Sequence, residues 1–423
     1  MKHSSRFHYQ SLLPVFGLYA ALALPGPLPA QGATYYVAQA TGNDTNPGTL
    51  DQPFETIARG VQSLVAGDTL YIRSGTYTER VDLRTKTGEP GKYITIAGYP
   101  GERPILQYAD RVEADYGTIR ARGDLGYFIF ENFVLDGALN SNKTCWQIAY
   151  GNHDFILRNL EIKNFKGCGL YIQADNISVI NCKIHDLISV SGKSGERWYG
   201  IYLRFGNNIL IEGNEFYNAP GGGLQLYPGP ISKLVVRNNF IHHNNRLADA
   251  PVGGIVLQGS ATTTISDTEI YNNVVYNNGT PTSGNAPGIQ IGVYTNNTKV
   301  WNNTVYGNKS YVIHIGHNNT TTNTIVQNNI SYGNKLGDYF DGGVGTIYSN
   351  NLTTDPKFVN LAASDFRLQS RSPAIDRGVA LKQVTTDIRN NPRPKGRAHD
   401  IGAYEADDTE VTPLSSPKDL KLQ

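Results

Sequence analysis

Methionine occurs once in 423 residues, and cysteine and tryptophan only three times each. Charged side chains make up 17% of the chain, split into 37 basic and 36 acidic, for a net charge of +1. That balance supplies no global field for nucleic acid or an anionic membrane, so an acidic partner would have to meet a local basic patch. Cys145, Cys168 and Cys182 are odd in number and fit no zinc spacing, which argues against a disulfide scaffold and leaves buried thiols as the expected state. Past the first thirty residues no apolar run approaches the roughly 20 that a membrane-spanning helix needs. What is abundant is glycine, with 45, together with asparagine, and this favours a turn-rich all-β chain over a helical one.

The N-terminus carries Lys2 and Arg6, an apolar run from Leu12 to Leu24, and then "PGPLPAQG". This pattern predicts a secretory signal peptide over residues 1–30, cleaved near Ala30, and hence a secreted or periplasmic protein. Residues 31–405 are expected to form the folded domain, and 406–423 a loose tail.

Asparagine pairs set the rhythm. Aligned on the first member or its equivalent, they fall at Asn159, Asn181, Gly213, Asn238, Asn272, Asn302, Asn328 and Asn350, with spacings of 22, 32, 25, 34, 30, 26 and 22. The shortest spacing recurs and the others exceed it, as a repeat of about 22 residues with inserted loops would give. A second series, "GLYIQ" at 169, "GIYLR" at 200, "GLQLY" at 223, "GIVLQ" at 254 and "GIQIG" at 288, marks alternating strands opened by glycine. The segments between are too short for helical crossovers. The arrangement that buries every strand is a solenoid, a parallel β-helix whose coils stack about 4.8 Å apart. Asparagine suits its sharp turns because it tolerates the left-handed conformation, and stacked amides can bond as a ladder. An amphipathic pattern in "PFETIARGVQSLV" (53–65) predicts a helix capping the N-terminal end; residues 353–405, which break the rhythm, are expected to cover the other.

The segments "GNDTNPGTLDQPFETI", "GDTLYIRSGTYTERV" and "PGERPIL", with the asparagine repeats, resemble secreted bacterial right-handed parallel β-helix proteins of the pectate-lyase-like superfamily. The resemblance covers nearly the whole mature chain. It implies right-handed coils and a polysaccharide groove along the first sheet of each coil, flanked by the loops inserted before Gly200, Gly254 and Gly288. It does not fix an activity, because lyases, hydrolases, epimerases and binding proteins share the fold. Family nine pectate lyases, whose N-terminal style this chain resembles, use a lysine base beside an aspartate-clustered calcium site. No such cluster is present: the eight carboxylates between Gly169 and Gly316 are scattered. No catalytic residue carries over by motif, and calcium remains a cofactor without an assigned site.

Alternation points Gln147, Tyr171, Gln173, Tyr202, Arg204, Gln225, Tyr227, Val256, Gln258, Gln290 and His314 outward from the first sheet. Rings that stack on sugars and amides that match hydroxyls suit a glycan groove, although such side chains also suit any exposed strand. The densest constellation is "GKSGERWYGIYLRF", where Lys193, Glu196, Arg197 and Arg204 accompany Trp198, Tyr199 and Tyr202. Cleaving a uronate chain by β-elimination needs a base for the proton α to the carboxylate and a cation to neutralise that carboxylate. Arg204, Arg197 or Lys193 would fill either role, with Tyr202 returning a proton to the leaving oxygen. The expected function is therefore a monomeric lyase acting on a uronate-containing glycan. Alternatives are an inverting glycoside hydrolase using Glu196 and Asp249, or a non-catalytic glycan-binding envelope protein. His185 and His242 share a column with Tyr217, Tyr276 and Tyr306 and read as structural; "GNDTNPGT" (42–49) has metal-like oxygen spacing but reads as a turn.

Overall fold

The computed structural model describes residues 32–107, 117–138, 145–189, 198–246, 252–280, 286–316 and 319–407. The expected signal peptide and residues 408–423 of the tail lie outside these. The described chain winds as a parallel β-helix. Each coil contributes a strand to a first sheet, then a second, then a third, and every strand pairs in parallel with its counterpart one coil on. One coil shows the pattern: Leu224–Leu226 in the first sheet, Ile231–Arg237 in the second and Phe240–His242 in the third. The third sheet has ten strands, from Thr76–Tyr77 to Ile330–Tyr332. Parallel connections of this kind are right-handed.

The expected inward residues fall into register. Leu170, Ile201, Leu224, Ile255, Ile289 and Ile313 pair in succession along the first sheet, and all are buried in one continuous core. The glycine that opens the first five of these strands has a packing cause, and the sixth opens on Val312. A Cβ on Gly200 would lie 2.7 Å from the Phe216 ring, and on Gly288 it would lie 2.3 Å from Val305, both on the third sheet. Any side chain there would push the first and third sheets apart.

The two members of each asparagine pair do different work. The first, at Asn272, Asn302 and Asn328, has φ of 52°, 48° and 56° and makes the turn. Gly213 holds this place at φ 68°, where a Cβ would also sit 2.2 Å from Asn181 Oδ1. The second member points inward. Asn214, Asn239, Asn273, Asn303, Asn329 and Asn351 stack coil on coil, each Nδ2 donating to the next Oδ1 at 2.9–3.0 Å. Each Nδ2 also donates to a carbonyl at the end of the second-sheet strand one coil back, as Asn303 does to Ile270. A second ladder, Asn244, Asn278, Asn308 and Asn334, runs along the exit of the third sheet.

At the N-terminal end, helix Ile57–Ser63 buries Ile57 and Val61 in the core beside Val37 and Leu70. Thr56 caps it, and both Glu79 carboxylate oxygens accept from the first-turn amides of Ile57 and Ala58. The 42–49 stretch is a turn that seats this helix: Asp44 accepts from the amides of Glu55 and Thr56 and from the Thr56 hydroxyl.

The C-terminal segment departs from expectation. Rather than closing the end of the solenoid, it lies along the flank. Phe358, Phe366, Leu368, Ile401 and Tyr404 pack on Val274, Tyr276 and Ile330 of the third sheet. The turn asparagines receive it: Asn350 Nδ2 donates to Arg377 O, Asn328 to Val379 O, Asn272 to Thr386 O and Asn302 to Asp400 O. Buried Arg393 locks the segment, bonding the Glu405 carboxylate, the Gly402 carbonyl and Asn272 Oδ1. The third-sheet residues it covers, with Phe240, Tyr306 and Tyr332 beside them, are apolar or aromatic, so running sideways buries them. Tyr339, Asp341 and Tyr348 of the last coil line an open pocket of about 410 Å³ instead.

Candidate functional site

The outer face of the first sheet carries the predicted groove residues in one registered column. Gln147 pairs with Tyr171, Tyr171 with Tyr202, Tyr202 with Gln225, and then follow Val256, Gln290 and His314. The column is not uniformly open. Gln225 is 6% exposed and Val256 2%, so Gln225 does not present its amide to solvent as alternation alone implies. His314 is buried against Phe340, ring centroids 4.7 Å apart. Gln258 and Gln290 are half-buried. Gln147, Tyr171, Gln173 and Tyr202 are half-buried as well, and the exposed members of the predicted set are Arg204 and Tyr227.

Register explains what is special there. Ile172 pairs with Leu203 but Gln173 pairs with Phe205, so Arg204 is the extra residue of a β-bulge. Bulges re-aim side chains, and this one presents an exposed guanidinium beside the column. Arg204 Nη1 donates to Tyr171 Oη at 3.3 Å. The Tyr171 and Tyr202 rings stack at 5.2 Å and 9°, and Tyr199 stacks on Tyr202 at 5.7 Å. Tyr199 is buried with Cys168 and Val252, and Trp198 packs on the same cluster, so these two wall the site rather than line it openly.

The electrostatics separate the roles. Burial, then the neighbouring Tyr171 phenol, pushes the Tyr202 hydroxyl up to about 12, so it stays protonated at neutral pH and can donate. The hydrogen bond to Tyr171 raises the Arg204 guanidinium above its ordinary value. Arg204 is thus a cation suited to hold a carboxylate. Lys193, Glu196 and Arg197 lie outside the described residues, as does Asp249, the second carboxylate of the hydrolase alternative.

Calcium does not fit the described residues. The outward column offers amides, phenols and a guanidinium, and no group of three or more His, Cys, Asp or Glu side chains among the described residues could hold a metal. No step is routed through one. The histidines of the third sheet are part of the wall. His185, Tyr217, His242 and Tyr276 stack at 4.6, 5.2 and 4.7 Å, and the column ends on Phe366 of the strap. Their ring nitrogens face Glu161, Asp186, Glu215 and His243. All three cysteines are free and buried. Among the described residues no helix is long and apolar enough to cross a membrane.

Two residues beside the site escape strand alternation, Tyr150 because it lies past a strand end and Phe205 because it follows the bulge inside the strand Ile201–Glu212. Tyr150, in "WQIAYG", follows the strand Trp146–Ile148 and is 79% exposed. Its ring meets Phe205, the bulge neighbour of Arg204, at 5.5 Å.

A family model described as "Pel9A-like, right handed beta helix region" matches residues 35–343. Over 84 residues the chain is 36% identical to the uncharacterized protein YwoF of Bacillus subtilis, covering 20% of this chain and 18% of that protein. Over 79 residues it is 34% identical to pectate lyase PEL9 of Emericella nidulans, covering 18% and 19%. The chain thus spans under a fifth of the length of these curated relatives. The crystal structure of pectate lyase Pel9A superposes with a TM-score of 0.61 at 18% identity, over 89% of this chain and 97% of that one. A rhamnogalacturonan lyase does so with 0.60 at 19%, over 84% and 97%. At such identities the structural likeness carries the fold alone.

Proposed function

Because the chain belongs to the Pel9A-like right-handed β-helix family, we propose that it is an exported polysaccharide lyase cleaving a uronate-containing glycan by β-elimination. The observation that carries this reading is the bulge that sets the Arg204 guanidinium beside the stacked Tyr171–Tyr202 pair. Arg204 would pair with the uronate carboxylate and stabilise the charge that develops when the α-proton leaves. Tyr202, protonated at neutral pH, would donate to the oxygen of the breaking bond. Lys193, Arg197 or Glu196, which precede this strand in the sequence, is the proposed source of the base. Tyr171, Gln173 and Tyr227, with Gln258 and Gln290 further along, would contact the chain, and Trp198 and Tyr199 would support it from behind. Export rests on the N-terminal sequence pattern.

Purified protein incubated with pectate, alginate and glycosaminoglycans is expected to generate the ultraviolet absorbance of an unsaturated uronate. New reducing ends without that absorbance would replace elimination by hydrolysis. Retention of a glycan with neither product would reduce the protein to a binding module.

A further inference from the structure

Exposed aromatic side chains that line up in one place mark a surface for a ligand or partner. Beside the bulge there are two. Tyr150 is the most exposed large hydrophobic residue among those described, at 79%, and Tyr227 is 40% exposed. Both occupy the corner where the chain leaves the first sheet for the second: Tyr150 after Trp146–Ile148, Tyr227 after Leu224–Leu226. Phe205 lies between them in coil order and is half-buried. Tyr150 reaches over the intervening coil to meet the Phe205 ring at 5.5 Å and 64°. Tyr227 is fixed against the same strand, its amide donating to Leu203 O at 3.0 Å and the Gly229 amide to Arg204 O at 2.9 Å. Four coils carry the row, which spans about 14 Å at the spacing of parallel strands.

We propose that Tyr150, Phe205 and Tyr227 form a stacking shelf for the glycan, binding sugar rings that flank the unit whose carboxylate meets Arg204. The inference rests on the groove reading above but moves the binding surface: the chain runs along the sheet corner rather than down the partly covered column through Gln225 and Val256. The chemistry fits a pyranose polymer. Ring faces stack on the C–H faces of sugars and leave the hydroxyls in water. The Arg204 guanidinium at the inner margin selects an acidic unit.

Affinity electrophoresis through gels containing soluble polygalacturonate or alginate measures binding without turnover. Tyr150→Ala and Tyr227→Ala should each weaken retardation by the better polymer, roughly three- to tenfold, with an unchanged melting profile. Tyr150→Trp should bind as wild type. Tyr348→Ala, an exposed tyrosine on the last coil, should also bind as wild type and serves as the control. Shelf-dependent retardation in a protein that cleaves nothing would leave the shelf standing and remove the lyase reading. Cleavage by both alanine variants at wild-type kcat/KM and with wild-type retardation would do the reverse. Absence of retardation of the wild type by either polymer would overturn the shelf.

Discussion

At Arg204 a single extra residue in a strand converts a repeating surface into a local one. The neighbouring coils present Gln173 and Tyr227 at the corresponding position, while the bulge projects a permanent cation next to two phenols. Replacing Arg204 by Ala should abolish turnover of a uronate polymer while leaving the melting temperature within about 1 °C, because the side chain is exposed. Lysine at this position should restore only part of the rate, since a point charge cannot hold a carboxylate in two-point register. Sequence alternation placed Arg204 on the outer face but gave no sign of the bulge, which appears only in the register between coils. Tyr150 and Phe205 were missed for related reasons, Tyr150 lying past a strand exit and Phe205 directly after the bulge, where alternation stops applying. Elsewhere at this scale, Glu161 carries a stability prediction. Its hydrogen bond with His185, followed by that with Lys163, holds the carboxyl down to about 2 from an ordinary 4.5. A depressed folded value means that its contribution is complete above about 4.5 and is lost as pH falls toward about 2. Thermal melts across that window should fall more steeply for the wild type than for Glu161→Gln.

Among the elements, the turns are the most informative. The sequence made the asparagine rhythm visible, yet the two amides of a pair look alike there and differ entirely in the fold. The Asn303 side chain is buried and makes four hydrogen bonds, so Asn303→Ala strands donors on Asn273 and should cost on the order of 3 kcal/mol in denaturant melts. Asn302→Gly keeps the left-handed turn and loses mainly the bonds to the strap, at about 1 kcal/mol. Equal losses in the two variants would contradict this division of labour. The second ladder was legible too, in the "YNN" and "YGN" that end "VVYNN" and "TVYGN", but a count keyed to one pair per coil passes over it.

On the scale of the molecule, the repeat accounts for nearly everything from residue 34 to residue 352, and the strap for the rest. The strap was illegible beyond its lack of rhythm, because what it packs on depends on outward third-sheet residues from four coils, far away in sequence. Its anchor, Arg393, is buried with Glu405. Arg393→Ala would leave that carboxylate unpaired and should cost about 3–5 kcal/mol. Limited proteolysis should then release fragments from residues 353–407 before the coils are cut, whereas simultaneous loss of the coils would show that strap and solenoid unfold as one.

The docking sites of the strap also make it a gauge. It meets Asn350, Asn328 and Asn272 through carbonyls at 377, 379 and 386, and so spans a fixed number of coil steps with a fixed number of residues. Duplicating a coil between Asn272 and Asn350 would displace one anchor by about 4.8 Å and break the match. Duplicating a coil upstream, near Asn159, would leave every anchor where it is. The solenoid can therefore grow or shrink by descent at one end only, and that end contains the first coils of the proposed shelf.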